Sequence, residues 1–151
     1  MCLYEPDRKI LISGDHILED ITPNIQSWSD ETQPLRSYLA NLDEIYKLDV
    51  DIVLPGHRRI FTHCRTRIEE LKHHHRMRLE EVFSILGKGP RNAYDTASEM
   101  TWDINCRCWE DFPVAQKWFA TGEALAHLKY LVEDERVVRE RIEGQFVFRL
   151  T

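Results

Sequence analysis

Apolar positions fall into short uninterrupted runs near the N-terminus and into helical stripes further along. Leu3-Tyr4 and Lys9-Ile10-Leu11-Ile12-Ser13 read as two strands joined by a turn at Glu5-Pro6-Asp7-Arg8, where Pro and Asp suit the turn. The second run is continuous rather than alternating, the pattern of a strand buried on both faces. Residues 17–33 show no clean period, and Pro23 and Asn24 mark an ordered loop. From Pro34 onward Leu35, Leu39, Leu42, Ile45 and Tyr46 recur at helical spacing, with Asp30-Glu31-Thr32 offering caps and negative charge at the start. Asp51-Ile52-Val53-Leu54 is a further short strand. The order β-β-α-β, with its strand–helix–strand crossover, predicts that the last two strands pair in parallel.

Beyond Arg65 the pattern becomes helical. Ile68, Leu71, His75, Leu79, Val82, Phe83 and Leu86 run at spacings of three and four until Gly87-Lys88-Gly89-Pro90 stops them. Ala93 to Met100 predicts a second helix with Tyr94, Ala97 and Met100 inward. A loop with Trp102 and Trp109 follows, then a third helix on Val114, Trp118, Phe119, Leu125, Leu128 and Leu131, with Trp118 and Phe119 expected in the core. A hairpin turning at Glu143-Gly144 ends the pattern. The expected division is residues 1–63 and 64–151, the second part being three helices and a hairpin in winged-helix order.

Composition narrows the class. Of 151 residues, 42% are hydrophobic and 30% charged, a globular balance. No run approaches the roughly 20 apolar residues that cross a bilayer. The N-terminal residues lack the basic and apolar regions of a secretory signal, so a soluble cytoplasmic protein with no membrane partner is the expectation. The net charge of −6 argues against a general nucleic-acid coat. Arg58 to Arg78 is nevertheless basic, and reads first as a solvated helix face, second as an anion or RNA site. The four cysteines include a C-x-C at Cys106 and Cys108 and are expected to be reduced thiols rather than disulfides.

Two chemical positions stand out. Ser13-Gly14-Asp15-His16 and Leu54-Pro55-Gly56-His57 each close a strand of the predicted parallel pair. Parallel strands bring their carboxyl ends to one edge, where open α/β sheets place ligands. Asp15 and His57 therefore converge on one rim, each beside a glycine that permits close backbone approach. Among the other histidines, His75 and His127 are expected to be packed in their helices, and His16 is a candidate to orient a ligand at Asp15 from behind.

These two motifs, with Ile21-Thr22-Pro23-Asn24-Ile25 between them, closely resemble the second half of metallo-β-lactamase-fold hydrolases. The stretch Arg67 to Leu86, Gly89-Pro90-Arg91 and Thr121-Gly122-Glu123-Ala124-Leu125-Ala126-His127-Leu128 resembles the winged-helix-like domain that follows in some members. The resemblance implies part of an αββα sandwich followed by that mainly helical domain. It implies metal positions at Asp15, bridging two zinc ions, and at His57, and hydrolysis of an ester, thioester, amide or phosphodiester by a metal-bridging hydroxide. The family's H-x-H-x-D-H motif has no counterpart here. The expectation is therefore a hydrolase portion that is inactive by itself, completed by the missing N-terminal half or associating with itself through bare strands. Two further readings stand beside it: one subunit of a split hydrolase, and a nucleic-acid or protein binding module in which Arg136, Arg139 and Arg141 make the contact.

Overall fold

The computed structural model describes residues 1–27 and 29–151. It contains four α-helices and five strands among the described residues, in the order β1 (Leu3–Glu5), β2 (Ile10–Gly14), α1 (Pro34–Tyr46), β3 (Ile52–Pro55), α2 (Cys64–Leu86), α3 (Ala93–Glu99), α4 (Val114–Glu133), β4 (Val137–Ile142) and β5 (Gln145–Leu150). A single turn of 3-10 helix at Trp109–Asp111, which the sequence reading takes as loop, precedes α4. The chain forms two compact units, Met1–Pro23 with Tyr38–His75, and Asn24–Ser37 with Arg76–Thr151.

In the first unit β1, β2 and β3 form a sheet in that order. β1 and β2 are antiparallel, with Leu3 opposite Ile12. β2 and β3 are parallel, with Leu11 opposite Val53 and Ile12 opposite Leu54, as the crossover requires. Side chains alternate across a strand. Leu11, Ser13 and Val53 therefore share one face, which is buried, and form a core with Ile17, Leu18, Phe61, Ile68 and Leu71. α1 adds Tyr38, Leu42 and Ile45. Tyr38 lies three residues past Leu35 and four before Leu42, so it belongs on the buried stripe; Tyr46, expected there, is instead exposed and donates its hydroxyl to Glu69.

In the second unit Leu79, Val82, Ile85 and Leu86 from α2 join Ala97 and Met100, then Ala120, Ala124, Leu128 and Leu131 from α4. The small residues of α4 include Gly122, where the Gln26 side chain would stand 3.2 Å from an added Cβ and Ser27 N–H donates to the Gly122 carbonyl. Three apolar expectations fail here: Tyr94, Trp118 and Phe119 are exposed rather than inward. The first part of α4, from Val114 to Phe119, turns its large side chains outward, and burial passes to the alanines that follow. β4 and β5 pair through a two-residue turn at Glu143 (φ 50°) and Gly144 (φ 86°), whose left-handed backbone matches the twist of a hairpin.

No helix among the described residues is long and apolar enough to cross a membrane. The four cysteines carry free thiols. Burial pushes the Cys64 thiol up to about 11, so it is a poor nucleophile at neutral pH.

Candidate metal centre

The rim that the two strands build is real in its geometry. β2 ends at Gly14, whose φ of 54° turns the chain sharply outward, and Asp15 follows. β3 ends at Pro55, and Gly56 N–H donates to the Gly14 carbonyl at 2.9 Å, which ties the two strand ends together. A Cβ on Gly56 would stand 2.7 Å from Asp15 Oδ1 and 3.2 Å from the Gly14 carbonyl carbon. Without a Cβ at Gly56 the turn passes this close to the carboxylate; any side chain there would require Asp15 to move. His57 then places Nε2 3.3 Å from Asp15 Oδ1, with 67% and 69% of the two side chains exposed. A proton on Nε2 makes this a hydrogen bond; without it, an imidazole lone pair and a carboxylate oxygen lie side by side and open to solvent.

The loop after Asp15 is held from beneath. Ser13 Oγ, fully buried, donates to the Ile17 carbonyl at 2.8 Å, and His16 N–H donates to the Ser13 carbonyl. Tyr38 Oη donates to the His16 carbonyl at 3.1 Å, and burial pushes its phenol pKa up, which keeps it a donor. Arg67 reaches up from α2, its Nε donating to the Leu18 carbonyl at 2.7 Å and Nη2 to the Ile21 carbonyl at 3.0 Å, while Nη1 pairs with Glu70. The sequence reading missed both supports. Tyr38 carries a helical-spacing signal; Arg67 does not, because a buried arginine looks like a surface charge in a basic run.

His16 is half-buried, with its ring edge-on to Tyr38 at 4.8 Å. Burial holds its imidazole below the usual value. His16 Nε2 finds no hydrogen-bond partner among the described residues. His127, fully buried, has Nδ1 2.8 Å from the Glu123 carbonyl, a helix-internal contact.

Much of the basic stretch is consumed internally. Arg59 pairs with Glu19 and Asp20; Arg65 donates to the carbonyls of Tyr46 and Leu48; Arg78 is buried against Glu81, the Thr101 carbonyl and the Trp102 ring. Near the hairpin, Arg136 pairs with Glu80 and Arg139 with Asp30.

Donor count decides what the rim holds unaided. Among the described residues no three His, Cys, Asp or Glu side chains come together as a metal site. A catalytic zinc takes three protein ligands and a structural one four. Asp15 and His57 are two donors, one short of the three that a catalytic zinc takes.

A parallel strand pair with Asp15 and His57 meeting at its carboxyl edge is the kind of α/β sheet edge at which ligands bind. The family description "Metallo-beta-lactamase superfamily" matches residues 1–57, and "Metallo-beta-lactamase-like, C-terminal domain" matches residues 79–151. The chain belongs to the metallo-β-lactamase superfamily. Among solved structures it is similar to a beta-lactamase domain protein from Burkholderia ambifaria, at 33% identity and a TM-score of 0.89 over 99% of this chain. It is also similar to a metallo-beta-lactamase family protein from Thermus thermophilus, at 29% identity and a TM-score of 0.79 over 99% of this chain. It spans 44% of the length of each.

Proposed function

We propose that this chain is the portion of a dinuclear zinc hydrolase that carries two of its metal positions, Asp15 and His57, and that it does not turn over substrate by itself. Residues 1–63 form part of the catalytic fold, and residues 64–151 form an accessory domain of winged-helix-like order. The observation that carries the reading is the 3.3 Å approach of His57 Nε2 to Asp15 Oδ1 at a rim where a Cβ at position 56 would press on the carboxylate. Superfamily membership supports hydrolysis as the reaction type. The substrate is an ester, thioester, amide or phosphodiester.

The test is a panel of thioester, lactone and bis(p-nitrophenyl) phosphate substrates offered to the chain with added zinc. No turnover is expected. Turnover lost in both Asp15→Asn and His57→Ala would keep the residues but overturn the claim of inactivity; turnover indifferent to both would overturn the assignment. The alternative of an RNA-binding module fits the geometry less well, since Arg136 and Arg139 are already engaged with Glu80 and Asp30.

A further inference from the structure

The second unit holds a cavity of about 410 Å³, a size that falls within the ~300–1,000 Å³ of small-molecule sites. Ser27, Ser29 and Asp30 form one wall, and Trp118, Gly122 and Leu125 of α4 form the other. The three α4 residues stand at i, i+4 and i+7, so they share one stripe of the helix. Ser27 N–H donates to the Gly122 carbonyl at 3.1 Å and fastens the two walls together. Trp118, 55% exposed, and half-buried Leu125 make an apolar surface that faces hydroxyl groups. Behind the hydroxyl wall stands a cation. Lys129 is 5% exposed, and its Nζ donates to Ser27 Oγ at 3.2 Å and to the carbonyls of Ser29, Asp30 and Thr32. All four of these acceptors are neutral. The Asp30 carboxylate turns instead to Arg139, at 2.6 Å. Two cations therefore act on this corner against one carboxylate. Burial holds the Lys129 ammonium below its ordinary pKa, with Asp30 opposing the shift and Arg139 adding to it. A buried charge is costly until a counter-charge meets it.

We infer that this cavity binds a small organic monocarboxylate, its carboxylate at Ser27 and Ser29 in front of Lys129 and its apolar body against Trp118 and Leu125. The hydroxyls can serve such a group. Ser27 Oγ accepts from Lys129 and holds its own proton only in a 3.4 Å contact with the Ser29 carbonyl, so it can turn to donate. Ser29 Oγ accepts from Glu31 N–H, and a hydroxyl that accepts still has its proton to give. Charge selects the ligand class. A cationic ligand would meet Lys129, and a neutral one would leave that ammonium without a counter-charge. A dianion would bring a second negative charge toward Asp30, which edges the cavity. One carboxylate matches the single uncompensated cation, and hydrogen bonds to an ionised group are the stronger kind. The apolar body matches the indole face, which favours flat or aliphatic partners over water. The inference does not depend on the metal assignment at Asp15 and His57.

The probes are 4-phenylbutyrate and its uncharged amide, titrated separately into the 151-residue chain in chelator at pH 7 and followed by amide and indole NMR shifts. The two share a shape and differ in charge, so their ratio reads the ammonium without any substitution. The expected result is saturable binding of the carboxylate, at least ~10-fold tighter than the amide, with shifts centred on residues 26–32 and 118–129. Trp118→Ala should weaken the carboxylate at least ~5-fold, since it removes the apolar wall. Ser27→Ala/Ser29→Ala should instead narrow the gap between the two probes. Each variant is first matched to the parent in far-UV circular dichroism and melting, and a Trp118→Ala chain that fails is replaced by Trp118→Leu. Equal affinity for the two probes, binding indifferent to the Trp118 substitution, shifts centred on Leu3 and Ile12 instead, or no shift at millimolar probe would each overturn the inference.

Discussion

Replacing Arg67 by methionine removes the strut beneath the loop that begins at Asp15, and its cost can be worked from the contacts. Arg67 is 9% exposed and its guanidinium donates to three oxygens. These do not count equally. Glu70 is 54% exposed and regains water readily, so that pair contributes little, as surface ion pairs do. The Ile21 carbonyl belongs to a residue 39% exposed and is also recoverable by water. The Leu18 carbonyl belongs to a residue only 3% exposed and would be left without a partner. A stranded buried acceptor costs ~1–3 kcal/mol, and the lost charge-assisted bond to Ile21 adds to it. Methionine keeps most of the aliphatic stem, so the packing loss is small. The sum is a loss of about 2–4 kcal/mol. Arg67→Lys, with one compact ammonium in place of a planar fork, should fall between, since it cannot span both carbonyls. Urea unfolding followed by far-UV circular dichroism measures the loss, and amide hydrogen exchange at residues 16–22 localises it, with a rise of roughly ten-fold or more. A methionine variant within ~0.5 kcal/mol of the parent, with unchanged exchange in that loop, would refute the reasoning.

Three further outcomes follow from single contacts. Gly56→Ala drives its Cβ against Asp15 Oδ1, so the carboxylate should swing away; the His57 ring resonances should shift in NMR spectra, and an unshifted spectrum would show that the turn yields instead. Lys129 is buried on α4 with Nζ donating to Ser27 Oγ, Ser29 O and Thr32 O, so Lys129→Met should release residues 24–33, read as faster proteolytic nicking there and nowhere else. Burial raises the Glu123 carboxyl above its ordinary value, against the opposing pull of Arg78. Its stabilising contribution is therefore full below the ordinary carboxylate range and is lost as pH rises through the raised value. Glu123→Gln should gain in melting temperature on the parent toward pH 7, and the gain should shrink toward pH 4.5; a gap that does not change with pH would contradict this.

The strands, the crossover and the rim were legible because each rests on local signals. Ile10 to Ser13 and Ile52 to Leu54 are continuous apolar runs closed by glycine turns, and such runs leave few alternatives to a buried strand. Asp15 and His57 could be placed together from topology alone, since a parallel crossover sends both strand ends to one edge. Burial within helices was harder to read. Periodicity assigned Tyr46, Tyr94 and Trp118 inward, yet which end of a stripe is covered depends on what packs there, as the exposed start of α4 shows. Arg67 and Arg78 were hidden for a different reason: apart from Arg78 Nε, their buried guanidinium groups bond to carbonyls and carboxylates that include ones from distant segments, and a single sequence carries no trace of those partners.

The central claim is that Asp15 and His57 mark a metal position that these residues alone do not complete. Calorimetric titration of the 151-residue chain with zinc tests it most directly, beside Asp15→Asn and His57→Ala. The account predicts weak binding, roughly micromolar or poorer, that either substitution abolishes, because two donors fall short of the three or four that hold zinc firmly. Tight uptake of two zinc ions per chain, or binding that survives both substitutions, would contradict it.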